Sequence, residues 1–277
     1  MGARTGGQLF VRSLNWIVIL VLGLSGLAHA ESAEEAGRAL AQAVYDAPHG
    51  DDLAAQATMV LTEKGREPRV RTMLVLRADR GKAERWALTR FTEPADVRGV
   101  AILTKDHPGD ESDQWLYLPA LDRVRRISAG RKGGRFVGSD IFFEDLRDRE
   151  VDMDHHVLQG EGKLGKLVCK ILVSTPVDPD NSVYSKRVSW VHPQTLLPLR
   201  VDLYQSDSKE PVKRLTVKRI RRIQGFWTVL DSTMEDLESG HLTRTKYTKV
   251  KYNQHIPDQV FTSRALADEN AGLAYRP

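Results

Sequence analysis

The sequence predicts a mainly β chain, built as one large curved antiparallel sheet that stops short of closing into a barrel. Three observations predict it. Runs rich in Val, Leu, Thr, Trp and Tyr recur from residue 54 to residue 252. Turn-forming clusters separate them at short intervals: Lys64-Gly65-Arg66, Asp79-Arg80-Gly81, His192-Pro193-Gln194, Asp207-Ser208-Lys209, Gln224-Gly225 and Ser239-Gly240. Within several runs apolar and polar residues alternate, as a sheet with one greasy and one wet face requires. Leu199, Val201 and Leu203 alternate with Arg200, Asp202 and Tyr204, and Trp86 and Leu88 with Ala87 and Thr89. Val188 and Trp190 lie opposite Arg187 and Ser189, and Leu215 and Val217 opposite Thr216 and Lys218.

In chain order, the first segment reads as a secretory signal peptide. Arg4 and Arg12 precede an apolar run from Leu14 to Leu27, and Ala28-His29-Ala30 fits the small-x-small cleavage pattern. Cleavage before Glu31 would leave residues 31–277 as a single exported domain. The leader removes two basic residues from a chain of formal charge +4. A nearly neutral exported protein is a poor fit to nucleic acid. A helix opens the mature chain. Ser32 and Glu35 are spaced as a capping box, Ala36, Leu40, Ala43 and Val44 recur at helical spacing, and Pro48 ends the run. Its face is rich in small residues and should pack closely on something flat.

Strands are expected near 54–63, 69–79, 83–92, 100–105, 114–119, 123–127, 154–158, 167–174, 183–191, 198–205, 211–222, 226–237 and 241–252. Short connections make successive strands neighbours. The tail after Phe261 is alanine-rich and polar, and its end is expected to be mobile. The lone Cys169 sits in an apolar run and reads as a small core residue.

The stretch between the sixth and seventh strands stands apart. Six basic residues, Arg123, Arg125, Arg126, Arg131, Lys132 and Arg135, fall just after Trp115, Leu116, Tyr117 and Leu118. They fit either a charged, protected sheet edge or contact with an anionic partner: a lipid headgroup or an acidic protein surface. Gly130, Gly133 and Gly134 loosen the loop that follows. A short helix capped by Ser139 or Asp140 then carries Ile141, Phe142, Phe143 and Leu146, which must dock on the sheet or cover a cavity. Asp140, Glu144 and Asp145 read better as first-turn acids than as paired catalytic carboxylates. His155 and His156 are adjacent in a strand and point to opposite faces, away from a shared metal. No metal, nucleophile-elbow or phosphate-loop motif occurs.

Together these residues carry a resemblance. The block "YLPALDRVRRISAGRKGGRFVGSDIFFEDL", residues 117–146, is similar to the signature block of the LolA-like outer-membrane lipoprotein-sorting proteins. Trp190 followed by Leu197-Pro198-Leu199, then Gly225-Phe226-Trp227-Thr228, Met234-Glu235-Asp236, Gly240-His241-Leu242-Thr243 and Ile256-Pro257-Asp258 fit the same pattern. The resemblance spans roughly residues 80–265. It implies an unclosed barrel of about eleven strands with a few helices over its concave face. It implies a periplasmic carrier, not an enzyme, with neither cofactor nor metal, holding the acyl chains of a lipoprotein or lipid. The branch it points to is associated with inner-membrane RND-type export permeases, with transient contact at a membrane surface. The residues nominated to bind lipid are Trp86, Leu88, Trp115, Tyr117, Ile141, Phe142, Phe143, Leu146, Trp190, Leu199, Val201, Leu203 and Trp227; the six basic residues are nominated for headgroup or partner contact. The alternative is a periplasmic sensory module that binds a lipid signal and a membrane partner protein.

Overall fold

A computed structural model describes residues 32–109, 112–206 and 208–277. The proposed signal peptide lies outside them. Helix α1 covers 32–45. Ser32 is already helical there, so the residue that would cap it lies outside the described part. The strands are β1 Asp52–Thr62, β2 Arg69–Asp79, β3 Arg85–Glu93, β4 Ala101–Asp106, β5 Asp113–Leu118, β6 Arg123–Arg126, β7 Asp154–Leu164, β8 Leu167–Pro176, β9 Lys186–Val191, β10 Pro198–Tyr204, β11 Lys213–Ile223, β12 Phe226–Asp236 and β13 Leu242–Tyr252. Helix α2, Ser263–Ala267, follows. None of the described helices is long and apolar enough to cross a membrane.

The thirteen strands form one antiparallel sheet in the order β6-β5-β4-β3-β2-β1-β13-β12-β11-β10-β9-β8-β7. Every neighbour is a sequence neighbour except the β1–β13 pair, which joins the two halves from Leu53↔Tyr252 to Thr62↔Leu242. Strands β6 and β7 are the two edges and do not pair, so the barrel is unclosed as the sequence predicts. The count exceeds the eleven strands implied by the resemblance. The expected β7 stops at residue 158, whereas the strand continues to Leu164. The added stretch Gln159-Gly160-Glu161 is exposed edge with a register shift, and carries no apolar alternation to mark it.

The expectation of one greasy and one wet face fails in the first half of the sheet. Along β1 to β5 both faces are buried. On one face Ala54, Leu74, Leu76, Leu88, Ala101 and Leu103 pack with Tyr117. On the other Ala57, Met59, Leu61, Met73, Val75, Phe91 and Ile102 pack together. Two covers account for this. The C-terminal tail lies on the first, outer face: Ile256, Val260, Phe261 and Leu266 join its core. Thr262 caps α2 by accepting from Ala265 N at 3.1 Å. The buried Arg90 donates to the carbonyls of Ala265 at 2.9 Å and Leu266 at 3.1 Å. A cation at a helix C-terminus is favourable, and these carbonyls give the buried guanidinium its partners. The tail is therefore packed on the sheet through Leu266.

The second, inner face is covered by the chain that crosses from β6 to β7. Phe136, Phe143, Ile141 and Leu146 pack on β1–β5. Ile141 and Phe142 also reach Tyr184, Leu203 and Met234 of the far half. No α-helix forms here. Residues Glu144–Leu146 make one 3-10 turn, and Phe142 bridges back to Arg135. Tertiary bonds replace the expected helix cap. Asp140, fully buried, accepts from Arg135 Nη1 at 2.7 Å and Thr243 Oγ1 at 2.7 Å, with His241 Nδ1 at 2.6 Å. Its own N–H donates to Thr243 at 2.9 Å, and its carbonyl accepts from Lys213 Nζ at 2.5 Å. Burial lowers the Lys213 ammonium to about 8. Buried Glu144 accepts from Ser182 Oγ and Val183 N, both at 2.6 Å, and pairs with Arg187. Asp145 accepts from Phe142 N at 2.7 Å and Tyr184 O–H at 2.9 Å. The three carboxylates act as pins between the crossing segment and strands far away in sequence. Gly134 serves close approach: a Cβ there would meet the Phe143 ring at 2.9 Å.

Helix α1 covers the remaining inner face, where Leu40 and Ala41 pack on Val151, Leu172 and Val191. The small-residue face does what its composition predicts. At Gly37 a Cβ would lie 2.6 Å from the carbonyl oxygen of His156 on β7. Gly37→Ala should therefore lift the helix and cost about 1–3 kcal/mol, the usual range for overpacking; urea denaturation of the two proteins measures it. A second expectation concerns Asp106 at the end of β4. Burial raises its carboxyl to about 6, against the bonds it accepts from Ser112 and Asp148 N. A raised acid favours the folded state while protonated. That stability is present below about pH 4 and is lost as pH rises through 6, a change of about 3 kcal/mol. Asp106→Asn should flatten this part of the stability–pH curve, measured by denaturant midpoints between pH 4 and 7.

Candidate functional site

The two covers do not fill the inner face. Between α1, the end of the crossing segment and the turn after β9 lies a groove of about 600 Å³. Ala41, Val44 and Tyr45 of α1 form one wall, Leu172 of β8 and Val151 another, and Leu196, Leu197 and Trp227 the mouth. A second chamber of about 240 Å³, lined by Leu53, Ala78, Tyr247 and Tyr252, adjoins it. The two share His49, Arg77, Arg85, Leu197 and Trp227. Trp227 stays 42% exposed, a large apolar surface left at the entrance.

Charged groups ring the groove, and nearly all hold one another. Arg85 is central. Its guanidinium donates to the Tyr45 carbonyl at 2.8 Å, to Asp148 at 2.7 Å and to Asp79 at 3.3 Å, and its carbon lies 3.9 Å from the Tyr45 ring centre. It thus joins the last turn of α1, the crossing segment and the end of β2. Burial pushes the Tyr45 phenol up to about 12, with Arg85 opposing. His49 Nε2 lies 2.7 Å from Asp79, whose backbone and histidine hydrogen bonds and Arg85 neighbour hold its carboxyl below the usual range despite burial. Arg149 donates to Asp154 at 2.8 Å and to the Met153 carbonyl at 2.8 Å. Glu150 accepts from Gly109 N at 2.8 Å, and Asp52 from Gln254 N at 2.7 Å and Ile256 N at 3.0 Å. Burial lowers the pKa of His156, whose ring nitrogens sit 2.8 Å from Ser174 Oγ and the Val151 carbonyl. Among the described residues no three His, Cys, Asp or Glu side chains come together as a metal site.

The nominated lipid-binding residues do not share one place. Trp227 alone lines the groove. Ile141, Phe142, Phe143 and Leu146 belong to the crossing segment, and Val201 and Leu203 to the sheet beneath it. Leu199, on the same strand, is buried. Trp86, Leu88, Trp115 and Tyr117 lie on the outer face under the tail, with Trp86 6.1 Å from Phe261. Trp190 is opposite Arg200 in register, on the face away from Val201 and Leu203, and stacks under the Arg200 guanidinium at 4.2 Å. The expected single cavity lining is therefore split among the face cores, one groove residue and Trp190 apart from them. Residue parity alone does not say which face is inner.

The basic block is divided too. Arg123, Arg125 and Arg131 are exposed. Arg126 is exposed and pairs with Asp113. Lys132 is buried, and Arg135 bridges Asp140 and Asp236. Of the remaining sequence candidates, His155 is exposed and Cys169 is fully buried in β8, its thiol raised by desolvation. The groove residues Arg77, Arg85, Tyr45 and Leu172 were not among those nominated. Only the small-residue face of α1, which demands a close-packed partner, pointed toward them.

The comparisons with known proteins fit this architecture. A family model described only as an uncharacterized protein matches residues 83–268. No curated protein matches the chain. The chain is similar to the solved structure of a DUF1329 family protein from Desulfovibrio piger: 32% identity over 84% of this chain and 99% of that one, with a TM-score of 0.80. A domain from Vibrio parahaemolyticus named for outer-membrane lipoprotein sorting is 29% identical over 84% and 99%, at a TM-score of 0.79. A LolA superfamily protein from Nitrosomonas europaea shares the fold at 22% identity over 84% and 97%, with a TM-score of 0.63. With about two thirds of its length matched by the family model, and with the first of these relatives aligned almost end to end, the chain belongs to the DUF1329 family and has a LolA-like fold.

Proposed function

We propose that this chain is a periplasmic carrier that takes the acyl chain of a lipoprotein or lipid into the groove beneath α1 and moves it between envelope membranes. The groove carries the reading. Its 600 Å³ falls within the ordinary range for small-ligand sites, and aliphatic side chains and Trp227 supply an apolar lining. Each methylene buried there contributes about 0.8 kcal/mol, so a chain can be held without covalent chemistry. The lipoprotein-sorting name of the Vibrio relative supports the class of cargo. An inner-membrane RND-type permease is the proposed partner, on the resemblance of the signature block. The exposed Arg123 and Arg125, beside Leu121 at 59% exposure on the β5–β6 turn, are the proposed contact with an anionic membrane surface.

Two outcomes are expected. Protein purified gently from its native periplasm should release acyl lipid on extraction, detected by mass spectrometry, and should bind a fluorescent fatty acyl probe. Val44→Trp, which places a large ring in the groove, should weaken probe binding about tenfold or more; a wild-type protein that binds no acyl probe overturns the reading. Separately, reversing the charge at Arg123, Arg125 and Arg126 should slow uptake of a fluorescent lipid from anionic vesicles, with an unchanged melting temperature. Uptake at the wild-type rate removes the membrane-contact role.

A further inference from the structure

We propose that the cargo is an acyl chain ending in a single anionic group, carboxylate or phosphate, and that Arg77 binds that group at the junction of the two chambers. The inference rests on the carrier reading and names the class of ligand. It follows from an accounting of charge. The acids around the groove are committed: Asp79 to His49 and Arg85, Asp148 to Arg85, Asp154 to Arg149, Asp52 and Glu150 to backbone N–H groups. Arg222 donates to the Gly225 carbonyl at 2.9 Å. Arg77 differs. Among the described residues its guanidinium makes no hydrogen bond; its one ion pair is Asp148 at 3.9 Å, outside hydrogen-bond range. Asp148 spends its closer bond on Arg85.

Position adds to charge. Arg77 lines both chambers, and its side chain is 52% exposed. It lies opposite Leu53 on β1 and Ala87 on β3, so it rises from the floor of the inner face. On one side are Val44 and Leu172, and on the other the phenols Tyr247 and Tyr252, with Trp227 lining both chambers. A chain laid along the larger chamber brings its end group to the guanidinium. Arginine offers a planar fork of N–H donors that suits carboxylate and phosphate oxygens, and a charge-assisted pair is stronger than a neutral one. A neutral ester or alcohol offers that fork an uncharged acceptor and forgoes the charge-assisted pair.

The test is titration calorimetry of the full mature chain with palmitate, hexadecyl phosphate and methyl palmitate. The wild type should bind at least one of the anions about tenfold tighter than methyl palmitate; the tighter anion identifies the head as carboxylate or phosphate. In Arg77→Met, palmitate and methyl palmitate should bind alike, and Arg77→Lys should restore part of the difference. Equal binding of all three ligands by the wild type overturns the inference and leaves the carrier reading standing, as does a preference for anions that survives in Arg77→Met. Binding of none overturns both. The wild-type comparison decides even if Arg77→Met melts early.

Discussion

A sheet whose outermost strands never meet has to do something with the chain that joins them. Here β6 and β7 lie at opposite ends of thirteen strands, so the chain between them is forced across the inner face. Much else depends on that crossing. It brings Phe136, Ile141 and Phe143 onto the first half of the sheet and Phe142 onto the second. It cannot lie there as a bare apolar strap, because its backbone would be buried without partners. Asp140, Glu144 and Asp145 provide the fixings, each meeting donors from strands or loops up to a hundred residues away. The groove is what the crossing leaves uncovered, and α1 roofs it.

Buried carboxylates of this kind trade desolvation for several directed bonds. Asp140 is the most heavily engaged, with Arg135, Thr243 and His241 around its oxygens. A cover held by such groups has a definite seat, which a greasy segment alone would lack. The groove wall is held by a similar device on its rim. Arg85 ties α1 and the crossing segment to one guanidinium, so the two covers are coupled through a single side chain.

Much of the fold was legible in the sequence. All thirteen strand runs appear, because turn residues punctuate them and successive strands pair. The small-residue face of α1 foretold a close contact, realised at Gly37. What the sequence hid has physical reasons. The run 140–146 has helical caps and a greasy face, but its acids are satisfied by Arg135, Thr243, Ser182 and Tyr184, partners that local pattern does not reveal. The continuous runs Met73-Leu74-Val75-Leu76 and Ala101-Ile102-Leu103 already carried the signal of burial on both faces. Alternation in the later strands obscured it. Arg77 is a single arginine in a strand, and only its place on the groove floor sets it apart.

The one pairing between strands distant in sequence, β1 with β13, has a consequence for how the molecule is made. Each half is a meander of local hairpins and can assemble as it emerges. Strand β1 is among the earliest segments synthesised, yet its second partner is the last strand of all. Its free edge, with Val60 and Thr58 awaiting Arg244 and Lys246, stands open until β13 has been made. Unpaired edges recruit foreign strands. The seam that finishes the sheet is also the pairing that closes this edge.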